Sequence, residues 1–261
     1  MKRSLFLLST IGILAACNNS TKVESASMAK NSDITQQNLK GKIQLYEERS
    51  YSVDSTGQNK VDSLINVNEF DEKGYETKYS TRDQSGKVHT IQTFGRDDKG
   101  NLTEAATTTD GKPSSKLVTE IGSDGKYSGA KSYDSTGKQD SYYTDISTNE
   151  YGIVYAGKQH FMDGRIKSTW ESKFNGVIYV SGTSTDSTGK TNYSGSVKVN
   201  DKGDPIEEES TTREKDATQT QKMTYKYDSY DDKGNWTQRT TYDEKDKPSK
   251  IVKGTFTYYK D

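Results

Sequence analysis

Tyr225-Lys226-Tyr227-Asp228-Ser229-Tyr230-Asp231-Asp232-Lys233-Gly234-Asn235-Trp236 is the stretch that decides the fold. Its first half alternates: Met223, Tyr225 and Tyr227 share one face and Thr224 and Lys226 the other, the period of a strand. Its second half is turn chemistry. Asp and Asn side chains accept hydrogen bonds from backbone N–H groups two residues on, and Gly supplies the positive φ that a tight reversal needs.

Working outward, the same punctuation recurs along the chain. Turn glycines, or aspartates in their place, stand at 57, 74, 86, 100, 111, 125, 137, 152, 164, 176, 189, 203, 216, 234 and 246. Two kinds alternate. One includes Asp71-Glu72-Lys73-Gly74, Asp97-Asp98-Lys99-Gly100 and Asp231-Asp232-Lys233-Gly234. The other includes Asp83-Gln84-Ser85-Gly86, Asp134-Ser135-Thr136-Gly137 and Asp186-Ser187-Thr188-Gly189. Like turns repeat roughly every 26 residues, as in a meander whose successive turns lie at opposite ends. Asp163-Gly164 and Asn175-Gly176 are signals for two-residue hairpins.

Between turns Tyr, Thr and Val dominate, with alternation in Tyr193-Ser194-Gly195-Ser196-Val197-Lys198-Val199. Two residues after each turn glycine of the first kind stand Glu76, Leu102, Tyr127, Val154, Ile178, Pro205 and Trp236, a column in which only Glu76 is polar. No helical stripe follows residue 40. The expected fold is therefore all-β, an antiparallel up-and-down meander of about sixteen strands. At ~4.8 Å per strand the sheet would be on the order of 75 Å across, so it must twist or curl.

The N-terminus reads differently. Lys2 and Arg3 precede an apolar run from Leu5 to Leu14, the pattern of a secretion signal. Leu14-Ala15-Ala16-Cys17 resembles the bacterial lipobox, which implies cleavage before Cys17, its lipidation, and a membrane anchor. Cys17 is the chain's single cysteine, so no disulfide framework is available. The expected organisation is a signal peptide at 1–17, a flexible tether at 18–41 and a β-hairpin repeat domain at 42–261. By analogy, Asn18 after the cysteine favours the outer membrane over inner-membrane retention. Asn18-Asn19-Ser20-Thr21-Lys22 lacks an acidic export cluster and leans toward the periplasmic face over the cell surface.

Without Lys2 and Arg3, 35 basic side chains face 38 acidic ones, a net charge of −3. No basic stripe marks a nucleic-acid binder. Apolar residues make up only 28% of the chain, but the regular placement of its 18 tyrosines argues for order.

Tyr225 to Arg239, followed by Tyr242-Asp243, resembles the YD/Rhs-type repeat, in the versions found in Bacteroidetes lipoproteins. The resemblance implies β-hairpins and a cell-envelope setting and is silent on activity. Single-layer spirochaetal surface lipoproteins are similar in architecture, without a shared motif. The Asp-Ser-Thr triplets at 54–56, 134–136 and 186–188 are similar to Bacteroidetes O-glycosylation acceptors, which would make Ser55, Ser135 and Ser187 modification sites; good turn chemistry is the better explanation of them.

Catalysis finds little support. Acidic pairs such as Asp97-Asp98 and Asp231-Asp232 fall in repeated turns, whereas an active site would be unique. His89 and His160 lack metal-ligand spacing, and the EF-hand pattern is absent. No cofactor and no metal site is expected. Tyr142, Tyr143, Tyr155, Trp170, Tyr179 and Trp236 are platform candidates for a partner if exposed, and core if not. The expected protein is a non-enzymatic, lipid-anchored envelope scaffold or binding surface, its partner an envelope protein or a glycan. Glycan processing, or carriage of a hydrophobic ligand in a curled sheet, is the alternative.

Overall fold

A computed structural model describes residues 28–54, 58–214 and 217–260. Cys17, the signal segment, Ser55 and the turns at Gly57 and Asp216 lie outside the described residues.

The chain is a meander of sixteen antiparallel strands: β1 (Ile43–Val53), β2 (Asn59–Phe70), β3 (Glu76–Asp83), β4 (Val88–Arg96), β5 (Leu102–Thr109), β6 (Lys112–Ile121), β7 (Tyr127–Tyr133), β8 (Gln139–Thr148), β9 (Val154–Phe161), β10 (Ile166–Asn175), β11 (Ile178–Asp186), β12 (Thr191–Val199), β13 (Pro205–Glu214), β14 (Ala217–Tyr230), β15 (Trp236–Tyr242) and β16 (Pro248–Tyr258). Each strand pairs with its neighbours in sequence, and β1 also pairs with β16, from Ile43↔Tyr258 to Ser52↔Lys250. That last pairing closes the curled sheet into a barrel and leaves no free edge.

The turns act as their residues require. In the recurrent form the Asp carboxylate takes two backbone N–H groups: Asp231 Oδ1 accepts from Lys233 N at 3.0 Å and Asn235 N at 2.8 Å. Gly234 then sits at φ 92°. Asp246 replaces glycine at φ 55°. Asp163-Gly164 closes this longer form, with Phe161 N–H bonded to Arg165 O. The two-residue turns fall instead at Asp110-Gly111, with φ 47° and 75° between the paired Thr109 and Lys112, and at Gly176-Val177 between the paired Asn175 and Ile178.

The two faces of the wall differ. One carries Tyr46, Tyr143, Trp170, Tyr225, Tyr227, Val252 and Phe256. On it Tyr46 of β1 stacks on Phe256 (centroids 4.6 Å apart) and meets Trp236 of β15 edge-on at 6.3 Å. Tyr46 and Val252 of this face pack with Ile34 and Leu39 from the segment that crosses the barrel end, so this is the concave, inner face. The other face carries ion pairs: Lys116–Glu104, Lys131–Glu120, Lys158–Asp145, and Lys198 and Lys222 with Glu207, at 2.5 to 3.0 Å. Where outward positions are apolar, charge covers them: Arg49 and Arg82 both reach Glu47 over Val67 and Ile65, which are 5% and 3% exposed.

One expectation is corrected. Residues 28–41 are docked on the barrel, where a flexible tether was expected from 18 to 41, and they contain a helical turn, α1 (Asp33–Gln36), whose N-cap Ser32 accepts from Thr35 N. The segment crosses the end bearing the first kind of turn. Ile34 N–H bonds Gly74 O at 3.1 Å, Asn31 reaches Lys99 O at 3.3 Å, Gln36 reaches Tyr151 O at 3.0 Å and Asn38 reaches Lys202 O at 3.3 Å. Lys40 and Asn235 exchange two bonds at 2.8 and 2.9 Å. Ile34, Leu39 and Ile43 enter the barrel end and pack with Tyr46, Phe70, Trp236 and Val252, the main hydrophobic cluster. The opposite ring of turns carries no crossing segment among the described residues.

Candidate ligand-binding lumen

The lumen has one capped end and two kinds of wall. Near the cap the inner face holds charge: Glu48, Glu208 and Arg239. Tyr46 OH donates to Glu48 at 2.9 Å and Tyr225 OH to Glu208 at 2.8 Å. Arg239 lies over the rings of Trp236 and Tyr225, at 4.8 and 5.3 Å. Burial works against its charge, but Glu48 and the neighbouring tyrosines hold its pKa above the usual value. Burial raises the phenols of Tyr225 and Tyr227 as well, so both remain neutral.

Around β7–β12 the inner wall changes. Away from the turns its inward positions carry no charged side chain; they are mostly serines, glycines and aromatics, with Ala130, Val197 and one glutamine. Gln159, 6% exposed, donates to Ser141 Oγ and Tyr143 OH, both at 3.1 Å, and accepts from Ser168 at 3.4 Å. Tyr143 meets Trp170 edge-on at 6.0 Å. Trp170 lies directly over Gly157, its cross-strand partner, where a Cβ would collide with the indole. Tyr193 covers Gly195 in the same way, and Tyr179 OH would stand 2.8 Å from a Cβ at Gly182. Strand glycines thus let rings lie against the wall.

The platform candidates separate. Trp170 and Tyr179 face the lumen with Tyr143, and Tyr155 shares that face by alternation. Trp236, 3% exposed, is core beneath the cap and not a binding surface. Tyr142 is on the outer wall, stacked on His160 at 4.8 Å. His160 also contacts Thr144 Oγ1 at 2.9 Å, and His89 sits on β4 between Asp83 and Asp110, so the histidines share no site. Ser135 and Ser187 are exposed at turn tips. A depression of about 480 Å³ on the outer wall, between Glu171 and Glu209, has a floor of Ser, Thr and Gly and no aromatic lining.

A second cluster joins cap and barrel. Asp33 accepts from Arg96 and from Glu76 N–H, both at 2.6 Å, and Asn68 donates to Glu76 at 2.6 Å. Burial raises the Asp33 carboxyl despite Arg96, and it lifts Glu76 to about 7, with nearby Asp33 adding to the shift. Glu76, the polar exception in the column after the turns, was the one sequence signal of this docking.

No family model and no curated protein sequence matches the chain. Among solved structures it is similar to a porin-like protein from Bacteroides uniformis, with 12% identity, a TM-score of 0.52, and 82% of this chain and 98% of that one covered. A porin-like protein from Bacteroides vulgatus aligns at 12% identity and a TM-score of 0.35, over 84% and 99% of the two chains. The TcdB2-TccC3 structure without its hypervariable C-terminal region aligns at 13% identity and a TM-score of 0.29, over 78% of this chain and 11% of that one. The first likeness is one of barrel fold; none shows a YD-repeat lipoprotein.

Proposed function

We propose that this chain is a non-catalytic cell-envelope protein, tethered through lipidated Cys17, whose barrel is a water-filled binding chamber. One observation carries the reading: the wall is polar outside and aromatic inside. A barrel that spans a bilayer shows lipid an apolar band ~25 Å tall. Here mid-strand outward positions hold charged groups such as Lys116 and Lys158, paired with Glu104 and Asp145. A surface of that kind belongs in water, so membrane attachment falls to the N-terminus. Residue 28 leaves the barrel at the capped end, which would hang the chamber from that end with its other mouth facing away. An outer-membrane location is in keeping with the porin-like fold of its neighbours, and the periplasmic face with the residues after Cys17.

The chamber reading differs from a bare scaffold in assigning the ligand to the lumen. It differs from a lipid carrier because hydroxyls and an amide interrupt the apolar inner positions. The test pairs two assays on the full chain and Cys17→Ala. Radiolabelled palmitate incorporation and membrane association should both be lost in the variant, which should stay monodisperse in water and open no conductance in planar bilayers. Detergent-dependent solubility with stepwise conductance would overturn the reading in favour of a pore.

A further inference from the structure

We infer that the lumen wall over β7–β12 is a stacking track for a neutral oligosaccharide. The inference rests on the chamber reading above and names the class of its ligand.

Three features of the wall converge on that class. The first is the aromatic geometry. Trp170 and Tyr193, both partly exposed, lie against glycine backbone, so one side of each ring meets the wall and the other is left to the lumen, whereas Tyr179 is buried beside Phe174. A pyranose presents a flat patch of C–H groups, and such patches stack on aromatic faces. Trp170 is on β10 and Tyr193 on β12, two strand spacings apart, or roughly 10 Å. About two sugar units span that distance.

The second is the polar chemistry between the rings. Gln159, Tyr143, Ser141 and Ser168 form one bonded group beside Trp170. Amides and hydroxyls both donate and accept, as sugar hydroxyls do. An alkyl chain laid along this wall would strip water from Tyr143 and Ser168, the partly exposed members of the group that buried Gln159 and Ser141 hold in place, and return no hydrogen bonds.

The third is charge. Away from the turns the inward positions here have no Lys or Arg for a phosphate or carboxylate; Arg165 and Lys167 lie over Phe161 at the β9–β10 turn, and Arg239 stands on β15 in the field of Glu48. An anionic chain would find its cations on the outer wall, where Lys116, Lys131 and Lys158 are already paired with Glu104, Glu120 and Asp145.

The chain's two tryptophans make the test direct, since Trp170 is in the lumen and Trp236 is buried under the cap. Trp236 Nε1 has no hydrogen-bond partner, so Trp236→Phe leaves a single lumen reporter without breaking a bond. The full chain carrying this change is titrated with hexamers of glucose, N-acetylglucosamine, xylose and mannose. Palmitate and a galacturonic acid hexamer are run in parallel, and calorimetry on the wild type repeats each titration. A saturable change in Trp170 emission with at least one neutral hexamer is expected. Affinity for it should fall at least tenfold in Trp170→Ala and hold in Tyr142→Ala on the outer wall. Binding of palmitate or galacturonate alone, lost in Trp170→Ala, would overturn the neutral-glycan assignment and leave the chamber standing. No binding by any probe, or binding indifferent to Trp170→Ala, would overturn both.

Discussion

At the scale of the residue, single groups carry distinct and measurable loads. Glu76 is the clearest. Its carboxyl, raised from 4.5 to about 7 by burial, is held protonated in the folded state over a range where the unfolded chain has released its proton. Its contribution to stability is complete below pH 4.5 and is lost as pH rises through 7. Thermal melts of the wild type should therefore fall between pH 5 and pH 8. Glu76→Gln, which cannot ionise, should flatten that slope and raise the melting temperature at pH 8; an unchanged slope would clear Glu76 of the effect. The turn aspartates act in the opposite sense. Asp83, with Ser85 as its strongest partner, is held down at about 2, so its contribution is present above the ordinary carboxylate range and lost as pH falls toward 2. Gly157 bears a packing load instead. Gly157→Ala drives a methyl into the Trp170 ring and should cost ~1–3 kcal/mol in urea denaturation. Gly86→Ala is the contrast: its Cβ meets nothing, so any cost there comes from φ 87° alone.

At the scale of the element, hairpins were legible and the cap was not. Each Asp-x-x-Gly turn announces itself because the residues that close it lie within five positions, and their alternation separated the two ends of the barrel from the letters alone. Asp163-Gly164 was misread because the same dipeptide fits two loops; the registers of the flanking strands choose between them. The cap left little trace. Its helix is four residues long, too short for a period, and its partners Gly74, Arg96, Tyr151 and Asn235 are 40 to 195 positions away. Asp33 is the cap's ionic link. Asp33→Ala leaves Arg96 half-buried without its carboxylate, a loss of ~2–4 kcal/mol to cap docking by the scale of broken partly buried pairs. Hydrogen exchange should then accelerate at the amides of Ile34 and Leu39 and stay slow in β7–β12. Equal acceleration throughout would mean that the cap and the barrel unfold as one unit.

At the scale of the whole molecule, the sequence specified the strand count and left the closure and the facing open. The β1–β16 pairing has no local mark, since a strand edge reads alike whether it meets solvent or a partner 200 residues away. Nor do alternating Tyr/Ser and Lys/Thr faces reveal which is concave. Trp236 and Trp170 looked equivalent as residues, yet one is core and the other wall, and only the cap's position decides between them. The account turns on that facing: charge outside in water, aromatic rings inside. Single cysteines placed along β10 in a Cys17→Ser background, at Ser168, Thr169, Glu171, Ser172 and Lys173, measure it directly with a bulky polymer-linked maleimide. The account predicts rapid labelling at 169, 171 and 173, slow labelling at 168 and 172, and no change when lipid vesicles are added. Rapid labelling at 168 and 172, or protection of 169, 171 and 173 by lipid, would contradict it.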